Sequence, residues 1–503
     1  MFRQARYEYP NDQPTSTLWF HDHVLGITRL NVYAAGAGFW LIRTKSGGES
    51  GLLKGIILPF PSPPTLKAFN TLNPEEQADR LAKIREIPIA IQPKSFYTDG
   101  SLFYPANRQF FEDPDNPGTS FDNPTGGCTK IVGPAEPPGP LNISKAHLPA
   151  HWGPEFFPQM MVVNGRTWPK HNVVRARYRF RLLNAADSQH FNLALKYNCG
   201  NETEYNRELP FYVIGTEQGL RTRVATVETS LFLGRALVMG PGQRLDVVVD
   251  FGQIQSTCFT GGPVDVILTN TAPTTEPFDG TNFVVYSAST PMQNVMKFVV
   301  QAGPARDLST PGLSQDQFQL CPVGKPGGDP LLTSANLVRQ QVLLEAKGTI
   351  QCGTDQYDDS PFAVLLGKSN SANAPISVND ATALYWMDKI QTNPRFKAVE
   401  DWVITNFSAD VHPIHLHLVK FQVLSRVTIT PFGDVSVALF PWEKDAWLDT
   451  VLAYPNQRTT IRAYFDRKGL HVWHCHILSH EDNEMMLPMC IGLKGQECPG
   501  VKF

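Results

Sequence analysis

Long apolar runs are missing from this 503-residue chain. No stretch reaches the roughly eighteen consecutive apolar residues that a membrane-crossing helix needs, so no membrane span is expected. Charge is scarce as well. Charged residues make up 18% of the chain and the net charge is −3, without a basic run, so nucleic acid finds no electrostatic footing. Cysteine is sparse, with eight in the whole sequence. That is too few for a disulfide scaffold, and no CxxC pairs occur. Cys128, Cys199, Cys258, Cys321, Cys352, Cys490 and Cys498 lie mostly in Gly/Pro-rich loops. They suit a few disulfides in an oxidising compartment, with the pairing left open. The residues after Met1, "FRQARYEYPNDQPTSTLWF", lack the charged, apolar and small regions of a signal peptide. Sequons at Asn142, Asn201 and Asn406 lend some support to secretion.

What the chain does have is a period of two. "RYRFRLLN" alternates Tyr178, Phe180 and Leu182 with Arg177, Arg179 and Arg181, and "RLDVVVDF" sets Leu245, Val247, Val249 and Phe251 on one face. Both read as half-buried strands. Glycine and proline, 38 and 41 residues, punctuate the sequence between such runs. Many short strands and few helices predict an all-β protein of sandwiches or barrels. The exception is "NPEEQADRLAKIRE", with Asn73 as N-cap, Pro74 at the first helical position, and Glu75 and Glu76 in the first turn. We expect a C-terminal remnant of a first domain over 1–60, a linker with this helix over 61–84, a second domain over 85–303, a linker over 304–334 and a third domain over 335–503.

Of thirteen histidines, most gather in "HDH" (His21, His23), "HPIHLH" (His412, His415, His417) and "HCHILSH" (His474, His476, His480). Residues i and i+2 of a strand share a face, so each His-x-His pair presents two imidazoles side by side. Cys475, between His474 and His476, then faces the other way. A thiolate, two imidazoles and a weak thioether are the ligands of a blue-copper electron-transfer site. Cys475, His480 and Met485 supply three of them, and His412 is the leading candidate for the fourth. On the opposite side, His21, His23, His415, His417, His474 and His476 suit a multinuclear copper centre. Zinc is the chemical rival, but a structural zinc site prefers a compact Cys/His quartet and has no use for the thioether. Trp473, Met486 and Met489 read as core packing, and the isolated His147, His151, His171 and His190 as structural.

"HPIHLHLVKFQVL" and "WHCHILSHEDNEMM" closely resemble the copper motifs of multicopper oxidases. "LWFHDHVLGITRLNVYAAGAGFWLIR", "IPIAIQPKSFYTDGSLFYP", "PEFFPQMMVVNGRTWP" and "YRFRLLNAADSQHFNLAL" look like the branch of spore-coat laccases and bilirubin oxidases. The resemblance implies tandem cupredoxin-like Greek-key β-sandwiches, the first one truncated. It implies His412, Cys475, His480 and Met485 as type 1 copper ligands and His415 as a type 2 ligand. His21, His23, His417, His474 and His476 would be type 3 ligands. Glu481 matches an acidic position near the dioxygen path and could relay protons; as a bland alternative it is a solvated loop charge.

The family carries one more motif, a His-x-His upstream of "HDH". None of the twenty residues before His21 is a histidine. We therefore expect a trinuclear centre short of one type 2 and one type 3 ligand, in a chain that begins inside a domain. A genuine short form, acting as a pseudoenzyme or borrowing ligands from a partner, is the alternative. The expected activity couples one-electron oxidation of phenols, aromatic amines or a bilirubin-like pigment to reduction of dioxygen to water. A metallo-oxidase acting on Fe(II), Cu(I) or Mn(II) is a variant that needs acidic residues beside the type 1 site. An incomplete, non-catalytic copper-binding protein is the contrasting reading. A copper nitrite reductase has no use for the second histidine after Cys475. The expected partners are a small-molecule reductant and dioxygen, and the expected location is secreted or extracytoplasmic.

Overall fold

The computed structural model describes residues 8–43, 85–105, 128–130, 153–200, 202, 204–229, 237–303, 320–352, 355–370 and 377–492. The helix expected from Asn73, the isolated His147 and His151, the sequons at Asn142 and Asn201, and Cys498 lie outside those residues. Among the described residues no helix is long and apolar enough to cross a membrane.

Two β-sandwiches dominate. In the middle of the chain a seven-stranded sheet, centred on Arg244–Asp250 and Arg177–Asn184, faces a six-stranded sheet centred on Phe191–Tyr197 and Val264–Asn270. The alternation seen in the sequence explains their contact. Tyr178, Phe180, Leu182, Val247 and Val249 from one sheet meet Phe191, Leu193, Leu195, Val266, Leu268 and Phe298 in a shared core. Each such side chain contributes roughly 2 kcal/mol relative to exposure.

The other face of the seven-stranded sheet is more buried than alternation implies. Arg179 and Arg181 are each only 1% exposed. Arg179 pairs with Asp246, and Arg181 with Glu86 at 2.9 Å. The cause is a two-stranded ribbon, Ser16–His21 against Ala37–Ile42, that lies over this face. Arg181 Nη1 donates to Thr17 Oγ1 at 2.8 Å, and Arg244 Nε to Thr17 O at 3.0 Å. The arginines are thus the floor under the strand that carries His21.

In the last part of the chain an eight-stranded sheet packs on a four-stranded one. The smaller sheet runs in the order Thr450–Ala453, His412–Leu416, Gly469–Cys475, Met486–Ile491. Its core side includes Ile414, Leu416, Trp473, Cys475, Leu487 and Met489, with Trp402 edge-on to Trp473. The two sandwiches are continuous where Val411, Phe440, Trp442, Leu452 and Tyr454 join the middle core. Arg244 spans the same seam, donating to both carboxylate oxygens of Asp449 at 2.9 and 2.6 Å. Of the cysteines, Cys199 and Cys258 form a disulfide and Cys490 is also disulfide-bonded. Cys321 and Cys475 are free and buried.

Candidate metal centre

Register sets the geometry. Ile414 lies opposite Cys475, and His415 opposite His474, in the antiparallel pairing of the two central strands of the small sheet. Two residues on one strand therefore serve opposite sides, as the His-Cys-His spacing predicts.

On the Cys475 side, Sγ lies 3.5 Å from His412 Nδ1 and 3.8 Å from His480 Nδ1. All three side chains are buried, with their ligand atoms within 4.8 Å of one another. His480 sits on the short helix Leu478–Asn483, which turns the chain back towards the sheet. Met485 follows, fully buried, with its N–H donating to His480 O and its carbonyl accepting from Cys475 N–H, both at 3.0 Å. Outer groups aim both rings. His412 Nε2 lies 2.6 Å from Ser408 Oγ, and His480 Nε2 lies 3.5 Å from Glu155 Oε1. An Nε2–H held outward leaves the Nδ1 lone pair facing the sulfur. Burial lowers His412 to about 3 and His480 well below its ordinary value, so both rings are neutral donors. Burial, with Glu155 and Glu481 nearby, pushes the Cys475 thiol well up. A bound cation is what draws a proton from such a thiol.

The opposite side collects six imidazoles. His474 Nε2 lies 3.0 Å from His417 Nε2 and 3.4 Å from His23 Nε2, and these three form one potential ligand sphere. His21 pairs instead with His476, their rings 5.2 Å apart and both against Trp19. His415 lies between the two groups, its ring 4.9 Å from that of His417 and 5.9 Å from that of His476. Backbone carbonyls orient the set. The Nδ1–H of His21 donates to Asp22 O at 2.7 Å, that of His415 to Asp449 O at 2.7 Å, and that of His474 to Cys475 O at 3.0 Å. Each then turns Nε2 inward. Burial lowers His21 to about 4 and His474 to about 3, and depresses His23, His417 and His476 as well. Among the described residues on this side, His23, His417 and His474 bring their ligand atoms within 4.8 Å of one another, and the rings of His21, His476 and His415 cluster beside them.

Glu481 is no solvated loop charge. It is 1% exposed, with Oε2 3.0 Å from His474 Nδ1, off hydrogen-bond alignment, and Oε1 3.5 Å from His23 Nε2. Burial raises its carboxyl above the ordinary range. Of the isolated histidines among the described residues, His171 is on a surface strand, whereas His190 is buried against Phe278 and near enough to His412 and His480 to help depress both. His471 lies outside both sets as well, half-buried at the start of the cysteine strand.

Sequence reasoning missed the supporting acids. Asp449 lies 3.5 Å from His415 Nδ1, and Arg244 and His415, working against its burial, hold its carboxyl well below the usual range. Asp410, two residues before His412, was open to notice from its position. Glu155 had no local signal.

Residues 359–493 match the multicopper oxidase family. The chain is 30% identical to the laccase of Bacillus subtilis strain 168, covering 97% of this chain and 73% of that protein. It is 28% identical to the laccase of Bacillus stratosphericus, covering 97% and 74%. Among solved structures, the McoA multicopper oxidase of Aquifex aeolicus superposes with a TM-score of 0.56 at 21% identity, over 95% of this chain and 76% of that one. Together with a thiolate–imidazole set backed on the same strand by clustered imidazoles, the 30% identity over nearly the whole chain places this protein in the multicopper oxidase family.

Proposed function

We propose that His412, Cys475, His480 and Met485 hold the type 1 copper of this laccase-like oxidase, and that His21, His23, His415, His417, His474 and His476 hold the coppers that meet dioxygen. The observation that carries this is the single strand ending at Cys475, whose sulfur enters one donor set while both neighbouring imidazoles enter the other. The donor chemistry fits: a soft thiolate and a thioether select copper over harder ions, and neutral imidazoles suit it equally. Bound there, copper supplies one-electron transfer at the first set and four-electron reduction of dioxygen to water at the second.

The chain's own residues do the rest. Ser408 and Glu155 fix the imidazole orientations, and the Cys475 peptide is the shortest covalent link between the sets. Glu481, raised by burial and close to His23 and His474, is placed to hold and pass a proton where water is made. The reductant is a small molecule. The sandwiches correspond to a second domain over 85–303 and a third over 335–503, with the His21 ribbon from a first. The Cys199–Cys258 disulfide supports an extracytoplasmic location.

The test is oxygen uptake by the copper-loaded chain with a phenol as reductant. Uptake that stops in His474→Ala and in Cys475→Ser supports the assignment. Uptake that survives either substitution removes it.

A further inference from the structure

The helix Thr28–Tyr33 follows His21 and His23 and precedes the return strand Ala37–Ile42. Six residues are too few to hold a helix alone, and the local sequence supports neither end. Its N-cap, Ile27, makes no side-chain hydrogen bond, its first turn holds no acid and its last turn no base. The first turn even carries a cation, Arg29, beside N–H groups that favour anions. Support comes from distant parts of the chain. Asp482, on the helix that also carries His480 and Glu481, accepts the Thr28 N–H on Oδ1 and the Arg29 N–H on Oδ2, each at 2.9 Å. The same Oδ2 accepts from Arg29 Nη1 at 2.9 Å. At the other end, Gln92 Nε2 donates to Val32 O at 2.9 Å, and Lys94 Nζ donates to Tyr33 O. Burial lowers Lys94 to about 8, so at neutral pH it is mostly the cation that terminal helix carbonyls favour.

Asp22 passes the position of this helix on to the histidines. It stands between His21 and His23, and its Oδ2 accepts from Asn31 Nδ2 at 2.8 Å and from Val24 N–H at 3.3 Å. Its N–H donates to Gly36 O at 3.3 Å, and its O is the acceptor that orients the His21 ring. A line of polar contacts therefore runs from Asp482 through Thr28 and Arg29 to Asn31, Asp22 and His21. We propose that Asp482 is a positioning residue for the imidazoles that face dioxygen. By fixing the helix Thr28–Tyr33 it sets His21 against His476 and His23 against His474. The inference rests on those histidines being copper ligands. It gives the two neighbouring acids separate tasks: both oxygens of Asp482 hold the helix, and Glu481 is left to face His23 and His474.

The test uses the copper-loaded full chain and compares the parent with Asp482→Ala, Asn31→Ala and the double variant. Amide hydrogen exchange is followed first. Copper is then withdrawn by a graded chelator, and the visible thiolate-to-copper band separates the Cys475 copper from the histidine-bound copper. In Asp482→Ala we expect exchange over residues 21–34 to quicken about tenfold, the scale of a lost helix cap. Histidine-bound copper should be held about tenfold or more weakly, the scale of a lost outer partner, while the band keeps its intensity. Because Asp482 and Asn31 act along one line, the double variant should bind copper like the weaker single variant, whereas independent structural losses would multiply. Unchanged exchange over residues 21–34 overturns the proposal, as do parent-like copper affinity and multiplied losses. Should Asp482→Ala fail to fold, Asp482→Asn carries the test, since it keeps one acceptor oxygen, loses the charge paired with Arg29 and should give intermediate losses in both readouts. A parent that binds only the Cys475 copper counts against the oxidase reading and takes the proposal with it. Histidine-bound copper that is equally tight in parent and variants overturns the proposal alone.

Discussion

Gly242 offers a severe test of how the imidazoles are held. It sits in a tight turn of the middle sandwich at φ +81°, in the left-handed region. A Cβ there would lie 2.4 Å from His476 Cδ2 and 2.6 Å from Cγ. Carbon atoms pack at about 3.5–4.0 Å, so in Gly242→Ala the ring must retreat by roughly 1 Å. The backbone adds about 1–2 kcal/mol for an L-residue in this conformation. The turn cannot simply swing away, because Gly242 N–H donates to Asn184 O at 2.9 Å and Arg244 Nη1 donates to Gly242 O at 2.8 Å. Nor can the ring retreat freely, since Trp19 and His21 pack beside it. A misplacement of about 1 Å at a catalytic group can cost on the order of 100-fold. Cys475 faces the other core, so its copper absorption should survive. We expect oxygen uptake in Gly242→Ala to fall 10- to 100-fold, on the order set by such a misplacement, while the visible thiolate-to-copper band keeps its intensity. Oxygen uptake within twofold of the parent would refute the reasoning, and so would loss of the band with uptake retained.

Met485→Leu should keep its copper and change the reduction potential, because the axial ligand tunes it; an unchanged potential in redox titration removes Met485 from the site. Glu481→Gln should slow oxygen uptake by about 100-fold, the scale of general acid–base help, while anaerobic bleaching of the blue band by reductant stays fast. Equal slowing of both steps would deny Glu481 a proton role. Asp246→Asn should cost about 3 kcal/mol at neutral pH, because it leaves buried Arg179 without its carboxylate. Burial alone would raise Asp246, but Arg179 and Arg181 outweigh it and hold its carboxyl below the ordinary value. Such a depressed carboxylate contributes stability above its unfolded pKa and loses it as pH falls through the folded value. The urea midpoints of parent and variant should therefore converge below about pH 4, and a gap that widens on acidification contradicts the sign.

The parts of the site that were legible in the sequence are those written contiguously. Cys475, His480 and Met485 lie within one turn-and-return of the chain, and period two alone separates Cys475 from His474 and His476. The strand faces of the core were legible for the same reason, as Phe180 and Val247 show. What stayed hidden depends on distant pairing. Arg179 and Arg181 read as solvent-side residues, because the carboxylates and the ribbon that bury them come from Asp246, Glu86 and Thr17. Glu481 reads equally well as a surface charge in the sequence, and it is helix Leu478–Asn483 that folds it under His23. Glu155 reaches His480 from the far sandwich, and no local pattern marks an acid whose role is set by a contact across the fold.

The central claim is that one strand serves two copper-binding sets through Cys475 and its neighbours. Copper titration of the parent chain and of Cys475→Ser, with bound metal and visible absorption recorded together, tests it most directly. The account predicts that the substitution abolishes the thiolate-to-copper band and lowers bound copper by one per chain, while histidine-bound copper remains. A band that survives, or the loss of all copper at once, would contradict it.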